Sequence, residues 1–155
     1  MKKYIYFTVI SLLMAMTSCL KGGMDDLPEY EEAEISGIQR VEYRYYGNDV
    51  SQIDGEKIVK KIALQNSTKI EGTTVSLEVT VPAAEGTFTE AERQNVSLTN
   101  IAVMASISTA ARLTPLDGAP ALGVPGDWSK PNKYVITAAN GSKKEWTITI
   151  TKLTK

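Results

Sequence analysis

From Ile35 onward, apolar residues recur at every second position in short runs that end at glycine, proline or asparagine. A period of two predicts strands with one dry face and one wet face. Val75, Leu77, Val79 and Val81 alternate with Ser76, Glu78 and Thr80, and Pro82 closes that strand. An opening strand covers about residues 37–46, with Val41, Tyr43 and Tyr45 inward and Arg40, Glu42, Arg44 and Tyr46 toward water. Another spans about 57–64, and residues 96–110 hold enough β-branched and small residues for one or two more. The clearest hairpin lies near the C-terminus. There Tyr134 and Ile136 on one strand face Trp146, Ile148 and Ile150 on the next, with Asn140-Gly141 in the loop. Asn-Gly suits a turn whose two central residues both need positive φ, although the polar run to Glu145 suggests a loop longer than two residues.

Two segments break the pattern. Thr89 and Glu92 have the spacing of a capping box, which predicts one short helical turn. Residues 114–131 carry Pro115, Gly118, Pro120, Gly123, Pro125, Gly126 and Pro131, which forbids regular structure over most of that length and suits a crossover between sheets. The Asn-x-Ser/Thr triplets at Asn66, Asn95 and Asn140 are read as turns. Six or seven strands with such connections predict an all-β fold, an immunoglobulin-like β-sandwich with Greek-key connections, over residues 35–155.

The first residues follow a different logic. Lys2-Lys3, an apolar run through Met16, the small pair Thr17-Ser18 and then Cys19 form a lipoprotein signal peptide over residues 1–18. The run is too short to span a bilayer, and Cys19, the only cysteine, stands where maturation attaches lipid. Acyl chains would then hold the protein to the membrane, each buried methylene adding about 0.8 kcal/mol. Losing Lys2 and Lys3 shifts the formal net charge from −1 to −3. The net negative charge sits in residues 19–34, where Asp25, Asp26, Glu29, Glu31, Glu32 and Glu34 face Lys21 alone. That composition predicts a self-repelling tether, and it resembles the acidic stretch after the lipidated cysteine in Bacteroides-type surface lipoproteins.

Candidate chemistry is narrow. The chain has no histidine, and its one thiol is committed to lipid, so nucleophile–histidine pairs and the usual zinc sites are ruled out. Paired carboxylates could in principle hydrolyse a glycoside, but the acids are expected mostly in the tether or on the wet faces of strands, as at Glu42 and Glu78. Asp49, Asp54, Asp117 and Asp127 lie in loops without calcium-loop spacing and are read as turn residues. No catalytic residue, metal or cofactor is expected. A near-neutral domain without a basic stripe makes nucleic acid an unsuitable partner.

Aromatic rings remain as binding candidates. Trp146 and Tyr134 share the phase of the apolar positions and belong to the core, whereas Tyr46 is out of phase and next to Gly47-Asn48-Asp49. Trp128 sits in the Gly/Pro-rich connection. Tyr46 and Trp128 are therefore the candidate glycan-stacking residues. The run Gly126-Asp127-Trp128-Ser129-Lys130-Pro131, then 134–142 (YVITAANGS) and 146–150 (WTITI), is similar to the ending of immunoglobulin-like domains in Bacteroides-type surface lipoproteins. For Trp128 that resemblance favours a ring that plugs one end of the sandwich. Relatives of those domains stand beside polysaccharide-uptake proteins. The resemblance implies an outer-membrane lipoprotein facing the exterior, with polysaccharide or outer-membrane uptake proteins as partners. The expected role is a non-catalytic, auxiliary glycan-binding or spacer module; the alternative is an adhesion component that binds a partner protein through a sheet edge.

Overall fold

A computed structural model describes residues 29–155. Its strands are β1 (Ile35–Val50), β2 (Lys57–Glu71), β3 (Thr74–Thr80), β4 (Ile101–Ile107), β5 (Arg112–Pro115), β6 (Asn132–Thr137) and β7 (Lys143–Thr154), with one short helix, α1 (Glu90–Asn95). The all-β expectation holds. The strands form one sheet in the order β4-β1-β2-β3-β7-β6-β5, curled until it is nearly barrel-like. The signal peptide, Cys19 and the tether up to Pro28 lie outside the described residues.

β2 turns this one sheet into two facing layers. Its first half pairs with β1, from Val50↔Lys57 to Val41↔Leu64, and its second half pairs with β3, from Gln65↔Thr80 to Glu71↔Thr74. The chain thus passes from one layer to the other without a break. All pairings are antiparallel except β3 with β7. The predicted inward residues fill the space between the layers: Val41, Val75, Leu77, Tyr134, Ile136, Trp146 and Ile148 are all buried. With no cysteine among the described residues, the apolar area these side chains remove from water supplies the stability, at about 25 cal/mol per Å².

Several elements differ from expectation, each for a local reason. β2 runs on to Glu71, so Asn66 and Thr68 lie within a strand and not in a turn, the Thr68 hydroxyl donating to Asn66 Oδ1 at 3.1 Å. The turn comes at Gly72, whose φ of +59° makes the Gly72-Thr73 link a two-residue hairpin. In the β6–β7 loop only Gly141 has positive φ, and the Gly141 N–H donates to Ala138 O at 3.0 Å. That is an ordinary turn followed by a left-handed glycine, which the five-residue loop allows, in place of the mirror-image turn Asn-Gly suggested.

The connection after β5 is irregular as predicted, but it is not loose. Gly123 N donates to Val103 O, Gly126 N to Ile101 O and Trp128 N to Leu98 O, so the segment lies as a strap along the outer edge of β4. It also covers part of the outer face. Glu42, expected in water, is only 2% exposed and pairs with Arg44 at 2.6 Å, while Arg44 Nη2 donates to Gly123 O on the strap. The packed region also begins before Ile35: Ala33 is buried, Trp146 Nε1 donates to Ala33 O at 2.9 Å, and Lys144 pairs with Glu34.

Candidate functional site

The site forms where β4 stops short of its neighbour. β4 pairs with β1 only as far as Tyr43↔Ile101, and β1 continues from Arg44 to Val50 with β2 as its sole strand partner. Residues 85–92 pack there against the Tyr43 and Tyr45 side chains and leave the backbone edge of β1 unpaired among the described residues. A bridge between Glu85 and Phe88 closes a tight loop around Gly86, whose φ is +58°. Thr89 then caps α1 by accepting the Glu92 N–H at 3.2 Å, as the capping-box spacing predicted.

Aromatic rings hold this segment against β1. Tyr43 and Tyr45 stack with centroids 5.8 Å apart, and Phe88 packs against them at 6.4 and 6.0 Å. Their hydroxyls reach the rim: Tyr43 donates to Glu92 Oε2 and Tyr45 bonds Thr87 Oγ1, both at 3.1 Å. Between β1 and this segment lies a cleft of about 340 Å³, lined by Tyr45, Tyr46, Asn48, Asp49, Thr87, Thr89 and Glu92 among others. Gly47 leaves room on one side for the Lys60 side chain, since a Cβ there would stand 2.9 Å from Lys60 Cε and push the lysine aside. The Lys60 chain crosses that gap to pair with Asp49 at 2.7 Å, a hydrogen bond that raises the lysine above its ordinary pKa.

Tyr46 stands on the rim, 68% exposed, as its phase in β1 predicted. Trp128 does not join it. Its ring is fully buried, stacks on Tyr134 at 6.4 Å and donates Nε1–H to Ile101 O at 3.1 Å. A ring enclosed on all sides cannot stack on a sugar, so Trp128 is removed from the candidate platform. The loop acids are engaged locally: the Ser129 hydroxyl and N–H hold Asp127 below the usual carboxylate range, and hydrogen bonds from Ser51 and the Glu56 N–H do the same for Asp54. Among the described residues no three metal-ligating side chains converge.

The cleft thus offers hydroxyls, an amide, two carboxylates and one exposed ring. Polar groups of that kind exchange hydrogen bonds with the hydroxyls of a sugar, while a ring covers its C–H face. Sequence reasoning found Tyr46 and the Thr89 cap but not their union. Glu92 meets Tyr43 across 49 positions of sequence, and no local spacing signals that contact.

The buried phenols make one prediction. Burial, aided by the hydrogen bond to Glu92, pushes Tyr43 up to about 12 from an ordinary value of 10, and burial also raises Tyr134. Both groups therefore hold their protons longer when folded than when unfolded. The contribution of Tyr43 is complete below pH 10 and is lost as the pH climbs from 10 to about 12, while that of Tyr134 persists to higher pH. Urea midpoints measured across that window should fall, and the fall should be shallower in Tyr43→Phe.

Residues 35–149 match the DUF5018-related family. The chain belongs to that family. A solved structure of a candidate secreted protein from Bacteroides fragilis is 46% identical to this DUF5018-related chain, with a TM-score of 0.74 over 83% of this chain and 100% of the other. A candidate glycoside hydrolase from Bacteroides thetaiotaomicron is 18% identical with a TM-score of 0.42, over 83% of this chain and 27% of its own. No curated protein matches the chain.

Proposed function

We propose that this DUF5018-related protein is a secreted, non-catalytic module that captures polysaccharide in the Tyr46 cleft. The observation that carries the reading is the exposed Tyr46 ring on the rim of a concave site lined by Thr87, Thr89, Asn48, Asp49 and Glu92. Both carboxylates already hold partners, Asp49 with Lys60 and Glu92 with Tyr43, which suits fixed acceptors for sugar hydroxyls better than proton donors in hydrolysis. The leader ending at Cys19 supports attachment by lipid to the outer membrane with the domain facing outward, and the candidate secreted neighbour from Bacteroides fragilis supports export. In that setting the cleft would hold glycan beside outer-membrane uptake proteins.

Affinity electrophoresis of the full chain through gels containing neutral plant, mucin and microbial polysaccharides tests this reading. One polysaccharide should retard the protein, and Tyr46→Ala should weaken that retention about tenfold, because losing a stacked ring costs roughly 1.4 kcal/mol. Equal retention of the variant, or no retention in any gel, overturns it.

A second reading rests on the edge of β1. From Arg44 to Val50 that edge has no strand beside it on the β4 side, and among the described residues only β2 pairs with it. An extended peptide of a partner protein could add there as a strand. Failure of every polysaccharide would favour this role over the first.

A further inference from the structure

A second concavity lies elsewhere in the sheet and has the opposite charge. β5, β6 and β7 set Arg112, Thr137 and Lys143 in one row, Arg112 being the register partner of Thr137 and Thr137 that of Lys143. Adjacent strands are about 4.8 Å apart, so the two cations start about 10 Å apart with the threonine between them. Thr114 is two positions along on the same face, and the row borders a concavity of about 450 Å³ that Ala138 and Ala139 also line.

Its charged lining is entirely cationic. Among the described residues neither Arg112 nor Lys143 has an ion-pair partner, so both charges are available to a ligand, as Lys133 is on the same face. Glu145 is the nearest acid along the same face of β7. It stands one row away, in line with Val135, and lines no part of the concavity.

We infer that Arg112, Thr137 and Lys143 form a clamp for an oxyanion, the sulfate or carboxylate substituent of an acidic polysaccharide. The guanidinium supplies a planar fork of donors for two oxygens, the ammonium a mobile point charge, and the threonine hydroxyl a donor between them. That the anion is carried on a polysaccharide rests on the reading above; the clamp itself does not. The Tyr46 cleft, lined by Asp49 and Glu92, would disfavour the same substituent, so the two sites would engage different parts of a glycan.

The test is affinity electrophoresis of the full chain in gels containing dextran sulfate, polygalacturonate or unmodified dextran, with Arg112→Gln, Lys143→Gln and Lys133→Gln beside the natural sequence. Lys133 lies on the same face of β6 and lines neither concavity, so its variant makes the same change in net charge away from the clamp. Retention is expected in one or both acidic gels, weakened about tenfold in Arg112→Gln and in Lys143→Gln and unchanged in Lys133→Gln. Retention in dextran sulfate alone would assign a sulfate ester, and in polygalacturonate alone a carboxylate. No retention in either acidic gel, or equal weakening by all three variants, overturns the clamp. The Tyr46 reading is judged separately, on neutral polysaccharides.

Discussion

Trp128→Ala is expected to cost the protein about 3–5 kcal/mol of stability, the range for removing a buried aromatic ring from a packed core. The ring is fully buried and stacked on Tyr134. It also does more than fill space. Ile101 O accepts two hydrogen bonds, from Trp128 Nε1 and from Gly126 N, both at 3.1 Å, and Trp128 N donates to Leu98 O at 2.7 Å. These bonds pin the strap to β4, and Gly123 N to Val103 O extends the attachment. Without the ring, the strap loses its anchor and β4 presents an open edge, the kind of surface that invites pairing between chains. Urea unfolding should show the loss as a lower midpoint, and hydrogen exchange should show the Gly123 and Gly126 amides opening first. Should Trp128→Ala fail to fold, Trp128→Phe keeps most of the packing and removes one bond, for a cost of about 1–2 kcal/mol. A loss below 1 kcal/mol in the alanine variant would show that the strap is held by something else.

How much of this was legible depended on whether burial and periodicity coincided. In β3, Val75, Leu77 and Val79 alternate with exposed or half-buried partners, and the strand lies where the pattern placed it. Tyr134 and Trp146 are likewise in phase with their isoleucines, and they are direct partners across the β6–β7 ladder. The second half of β2 shows why the signal fails elsewhere. From Gln65 to Glu71 no side chain is buried, so the stretch has no apolar face, and its ladder to β3 holds it extended. Glu42 was misplaced because alternation says which face a residue takes, not whether a distant strap covers that face. The same limit applied to the cleft. Alternation put Tyr46 in water correctly, but the loop that turns its surroundings into a concave site comes from residues 85–92, whose contacts with β1 run through the Tyr43 and Tyr45 side chains 42 to 49 positions away in sequence.

The second large effect concerns that covered face. Arg44→Met is expected to cost about 3 kcal/mol, because it leaves a carboxylate buried with no close countercharge. Glu42 receives Arg44 Nε at 2.7 Å, whereas Arg40, its other cation, is 3.9 Å away with half its side chain in water. Across the ladders Glu42 stands opposite Ala63 and Ala102, neither of which offers a polar side chain. Replacing both ionic partners, as Glu42→Leu with Arg44→Met, should bring stability back to within about 1 kcal/mol of the natural protein, since an apolar pair of similar volume avoids the desolvation cost. A double-mutant cycle of urea midpoints measures this, and a coupling of about 2 kcal/mol or more is expected. If Arg44→Met alone costs under 1 kcal/mol, Arg40 suffices and the pair is incidental. The cycle also separates the two tasks of Arg44, which bonds both Glu42 and Gly123 O on the strap. If the double variant recovers stability yet its Gly123 amide still exchanges fast, the carboxylate sets the energy of this face while the guanidinium closes the edge of β4.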